Sequence, residues 1–171
     1  NDEPAAVLLD RIADEKRRLI KEKKIKRDKN ESRIYRTDDG HWMERFSDKN
    51  RSEVCIDDEI PFDIPESWEW SRLKSITTIV GDGIHGTPNY DDNGEVYFIN
   101  GNNLSDGKIE IKADTKKLNL EEASKHKREL NETTILVSIN GTIGNIAFYN
   151  NENVILGKSA CYFNIMGDIS K

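Results

Sequence analysis

The chain has 171 residues, enough for one domain with an appendage; 34% of them are charged, and the formal charge is −6. Basic residues outnumber acidic ones only over residues 1–30, so no basic domain stands out, which disfavours a protein that simply coats phosphate. Cys55 and Cys161 are too few and too distant for a disulfide framework or a zinc cluster, which points to a reducing, cytoplasmic compartment; no apolar run approaches a membrane span and no signal peptide is visible.

The chain opens with a helix. Asp2 suits an N-cap, with Pro4 in the first turn and Glu3 near the positive end of the dipole, and the helix is expected over residues 3–27. Ala5, Ile12 and Leu19 recur every seven residues, and Leu8, Leu9 and Ile20 widen the stripe. Residues 16–29 are crowded with Lys and Arg, which read either as a solvated face or as an arm that spans distance. A long helix with one apolar stripe needs a partner. The chain offers no second long helix, so Ala5, Leu8, Leu9, Ile12 and Leu19 are expected to project and pair with something outside it, including a second copy.

Residues 28–59 are acid-rich and weakly periodic, and partial order at best is expected. Gly40 after Asp38-Asp39 can turn a small hairpin between residues 33–36 and 41–46, pinned by Trp42 and Phe46. Residues 60–73, IPFDIPESWEWSRL, then divide the chain. Pro61 and Pro65 push Ile60 and Ile64 toward extended backbone. Trp68 and Trp70 would share one face of a strand, so residues 68–73 are expected to begin a β-rich domain.

Residues 75–80 form a second β-branched run, ending in Gly81-Asp82-Gly83-Ile84-His85-Gly86. This is a formal G-x-G-x-x-G, but turn material follows it where a dinucleotide site needs a helix, so the glycines are read as shaping a surface loop. Further strands are expected at 96–99, 108–112, 134–139, 146–149, 154–156 and 160–165, with Asn119 capping a short helix to residue 126. The fold class is α+β: a long N-terminal helix and a mostly antiparallel, irregular β-rich domain. The expected organisation is a spacer helix at 1–29, an acidic linker or hairpin at 30–59, and the β-rich domain at 60–171.

Catalytic patterns are absent. His41, His85 and His126 are scattered, no carboxylate or cysteine stands at metal-ligand spacing, and there is no nucleophile elbow or H-E-x-x-H. What remains is a set of polar loops at 81–89, 100–103, 138–142 and 158–159. Asn can pair with adenine, Ser and Thr with bases or phosphate, and Lys with phosphate or guanine. The candidate readers are Thr87, Asn89, Asn100, Asn102, Ser138, Asn140, Thr142 and Lys158; alternatively, the Asn-Gly pairs are turn chemistry alone.

The N-terminal EPAAVLLDRIADEKRRLIKEKKIKRDK resembles the spacer helix of the specificity subunit of Type I restriction-modification systems. CIDDEIPFDIPESWEWSRL, the Gly-Thr-Pro loop ending at Pro88, FINGNNL and ILVSINGTIGN resemble the start of its target recognition domain. The resemblance implies a non-catalytic reader of double-stranded DNA that needs no cofactor of its own. It also implies modification subunits carrying S-adenosylmethionine and a restriction subunit as partners. Members pair two recognition domains and two spacer helices, so a fragment with one helix and a C-terminally incomplete recognition domain is expected. A protein–protein module without DNA binding is the competing class.

Overall fold

A computed structural model describes residues 3–167. Its described residues divide into two compact units, residues 3–78 with 166–167, and residues 79–165. The class is α+β, as read from the sequence.

Unit 1 begins with α1 (Ala5–Lys21). Pro4 occupies the N-cap position, and Asp2, the expected cap, lies outside the described residues. The helix ends six residues before its expected limit. Lys23 turns to φ 58°, its N–H reaches Ile20 O, and Lys24 N–H reaches Leu19 O. That pair of bonds is a Schellman stop, here built on a lysine, with no glycine to announce it. The expectation that the stripe lacks a partner inside the chain is also corrected. Ile12 is 2% exposed, and it and Leu8 face the backbone at Gly167. Lys16 leaves the solvated basic face: it is buried, donates to Lys74 O, and desolvation pushes its pKa down.

The acidic segment, expected to be partly ordered, builds an antiparallel meander of β1 (Ser32–Arg36), β2 (Trp42–Phe46) and β3 (Val54–Cys55). The hairpin places Ser32 opposite Phe46 and Arg36 opposite Trp42. Ile34, Trp42 and Ile56 form its core, and Ile60, Ile64 and Trp70 pack against them. The Trp-x-Trp strand does not form. Trp70 joins this core while Trp68 is 62% exposed, so the two indoles do not share a face. A turn of 3-10 helix at Leu73–Ile76 follows instead.

Unit 2 is built on strands close to those expected. β4 (Thr77–Asp82) leads in from residue 79, followed by β5 (Val96–Ile99), β6 (Leu104–Ser105), β7 (Lys108–Ile109) and β8 (Lys117–Leu118). Then come α2 (Leu120–Ser124), β9 (Thr134–Ser138), β10 (Ile146–Phe148), β11 (Val154–Leu156) and β12 (Ala160–Ile165). The sheets are ordered β10-β9-β12-β4, β11-β5-β8 and β6-β7. β11 runs parallel to β5, while the other ladders with a recorded register are antiparallel. The Asp106-Gly107 turn between β6 and β7 has both residues at positive φ, 47° and 77°, as a type I′ turn requires.

Alternation sorts the side chains. Leu136, Tyr162, Ala147 and Ala160 point to one core with Ile99, Leu104, Val154 and Leu156. Val96, Phe98 and Ile155, on the other face of β5 and β11, meet Leu118, Ala123 and Ile84. Both faces of β5–β11 are therefore covered, which suits their unbroken apolar runs.

Candidate functional site

Three loops of unit 2 converge on one serine. The Ser159 hydroxyl accepts from Gly101 N–H at 2.9 Å and donates to Asn100 Oδ1 at 3.0 Å. The Ser159 carbonyl accepts from Ile139 N–H at 3.0 Å. A side chain at Gly101 would stand 2.8 Å from Ser138 Cβ and 2.9 Å from Ser159 O, so only glycine allows the approach. Residues 100–103, 138–145 and 157–159 are thereby held together, each loop springing from a buried strand.

Two of the candidate readers serve as props. Ser138 is fully buried; its hydroxyl donates to Thr142 O and accepts from Asn145 N–H, closing the loop. It cannot reach a base, and that assignment is corrected. Asn100 is half-buried, its side-chain oxygen spent on Ser159 and its N–H on Asn103 Oδ1. Asn102, Asn140, Thr142 and Lys158 are exposed around these props, and among the described residues their side chains make no hydrogen bond. Thr87 and Asn89 are exposed as well, but that loop is tied to α2 instead: Asn89 N–H donates to Glu122 Oε1 at 3.1 Å.

The glycine-rich turn is explained by packing. A Cβ on Gly83 would lie 2.2 Å from Gly157 O and 2.3 Å from Leu156 O, and no helix follows the turn. His85 stands on the surface with Nε2 2.5 Å from Asp82 Oδ2, which holds the Asp82 carboxyl below its usual range.

Reasoning from sequence missed the supports. Asn103 is buried, accepts from Asn100 N–H, and donates to Glu110 O and Thr115 Oγ1. Asn145 donates to Leu104 O at 2.9 Å. An Asn-rich loop carries no mark that separates its props from its presented side chains. Ile143, 76% exposed at the tip of the 138–145 loop, was also passed over, although an isoleucine flanked by Thr142 and Gly144 in a polar loop was the available signal.

The loop at 87–89 supplies a pH test. Asn89 N–H first, then Lys125 and His126, hold the Glu122 carboxyl at about 2 against an ordinary 4.5. The unfolded chain therefore takes the proton first as pH falls, and this stabilisation, present above 4.5, is lost on approach to 2. Thermal melts across that window should show a smaller drop for Glu122→Gln than for the wild type. Equal drops would contradict the assignment.

A buried core thus displays loop tips that carry polar side chains, one lysine and one isoleucine. Residues 65–169 match the family described as Type I restriction modification DNA specificity domain, and the chain belongs to that family. It is 43% identical over 76 residues, 44% of its own length, to 9% of the Type I restriction enzyme EcoAI specificity subunit of Escherichia coli. It is 42% identical over 79 residues, 46% of its length, to 10% of the EcoEI specificity subunit of the same organism. The chain thus spans only about a tenth of the curated relatives it matches. No solved structure matches it.

Proposed function

We propose that this chain recognises a specific sequence in double-stranded DNA, as the non-catalytic specificity component of a Type I restriction-modification complex. The observation that carries the reading is the convergence of the 100–103, 138–145 and 157–159 loops on Ser159, within the matched family domain. Asn102, Asn140 and Thr142 are the hydrogen-bonding readers, with Lys158 beside them for phosphate. Ile143 offers an apolar contact to a thymine methyl group. Thr87 and Asn89 form a second, separately anchored contact. The acidic net charge suits this division, because base contacts specify while phosphate contacts supply affinity.

Modification subunits, which would carry S-adenosylmethionine, and a restriction subunit belong to the same reading as protein partners. Pairing of two copies through α1 loses its motive, since Ile12 at the centre of the stripe is already covered within unit 1.

Binding by Asn102→Ala and Asn140→Ala is the test. Each should relax preference at one base pair and cost about 1–3 kcal/mol there, whereas Lys158→Ala should weaken all sequences alike and lower the salt slope by about 1. Anisotropy titrations against single-substitution duplexes distinguish these outcomes. A uniform loss from the asparagine variants would move them to the phosphate-contacting class.

A further inference from the structure

We propose that His41, Cys55 and Asp57 form a binding site in unit 1 for a divalent transition-metal ion of the zinc class. In sequence these residues show no metal-binding spacing. The meander assembles them: His41 leads into β2, Cys55 lies on β3 opposite Met43, and Asp57 follows β3 in a 3-10 turn. One ligand atom from each lies within 4.8 Å of the other two, and all three residues are exposed.

The donor set is one imidazole nitrogen, one thiol and one carboxylate, a mixture that suits zinc better than the oxygen-seeking magnesium or calcium. Zinc bonds of about 2.0–2.3 Å in tetrahedral geometry need ligand atoms roughly 3.3–3.8 Å apart, so shifts on the order of 1 Å complete the site. Two of the ligands are already oriented. Asp57 Oδ1 accepts Trp42 N–H at 2.6 Å, which leaves Oδ2 turned to His41 Nδ1, also at 2.6 Å. The His41 backbone is fixed in turn by Thr37, whose hydroxyl accepts its N–H and donates to its carbonyl, both at 3.0 Å. Outer-shell bonds of this kind set the ligands of metal sites. Asp39, near enough to act on His41 electrostatically, adds negative charge beside the site.

On binding, the Cys55 thiol releases its proton to solvent, and His41 binds through Nδ1 with its ring proton on Nε2. Asp57 Oδ2 gives up the His41 hydrogen bond for the ion. Water fills the fourth position. The ion clips the two-residue edge strand β3 to the start of β2, and its role is structural.

The test is titration of the reduced, metal-free full chain with cobalt(II), followed by zinc. The expected result is a thiolate-to-cobalt charge-transfer band that saturates at one equivalent and is erased by zinc. Cys55→Ser should abolish the band and Cys161→Ser should leave it. Asp57→Asn and His41→Ala should each weaken binding at least as much as loss of an outer-shell partner does, roughly 10–100-fold. Zinc should raise the melting temperature of the wild type and of Cys161→Ser but not of Cys55→Ser. No band, a band that survives Cys55→Ser, or unchanged affinity in Asp57→Asn would overturn the site.

Discussion

Leu136→Ala should lower the free energy of unfolding by about 2–5 kcal/mol. Leu136 is fully buried at the middle of β9, with Tyr162 of β12 and Ala147 of β10 as its partners in register. Tyr162 is held on the strand between β9 and β4, and Ala147 is tied on its far side by a bridge to Gly107, so the space left by the missing carbons closes poorly. Val137, one residue on, points to the opposite face and is only half-buried. Val137→Ala should therefore cost clearly less. Urea unfolding reads the difference as a shifted midpoint at unchanged slope. Equal losses from the two variants would contradict the assigned faces of β9.

In unit 1 the largest loss is expected from Arg72→Met. Glu44 lies on β2 with its side chain only 8% exposed, and Arg72 grips both carboxylate oxygens, at 3.1 and 2.6 Å. Ser32 also donates to Glu44, and Arg72 continues to Glu59 at 2.7 Å. These contacts hold the Glu44 carboxyl below its usual range, the Arg72 bonds first. Removing one partner of a buried pair leaves a charge in a poor solvent, at a cost of about 3–5 kcal/mol. Arg72 is itself 40% exposed, so the lower end of that range is expected. Adding Glu44→Gln to Arg72→Met removes the stranded charge and should recover part of the loss. Additive losses in the double variant would show that the pair is not coupled.

The strands of unit 2 were legible because their apolar runs are short and bounded by turn residues. The Asn119 cap was recognisable, and Asn119 Oδ1 does accept Glu122 N–H at 2.9 Å. Unit 1 was harder to read. Its helix stops at a lysine in the left-handed region, a conformation with no residue-type signal at that position. Its acidic strands carry only a few core residues, Ile34, Trp42 and Ile56, too sparse to show a period. Trp68 and Trp70 look alike in sequence and are parted by the irregular backbone that follows Pro65. At the site, the loops and their residue types could be found, but not their division of labour. Ser138 and Asn140 have similar chemistry, and burial alone makes one a prop and leaves the other at the surface.

The most direct test of the central claim is selection from a pool of random duplexes by the chain together with a modification subunit, read by sequencing. The account predicts enrichment of a short fixed sequence, with one position of it relaxed by Asn102→Ala and another by Asn140→Ala. Binding with no enriched sequence, or none at all even at low salt, would contradict it.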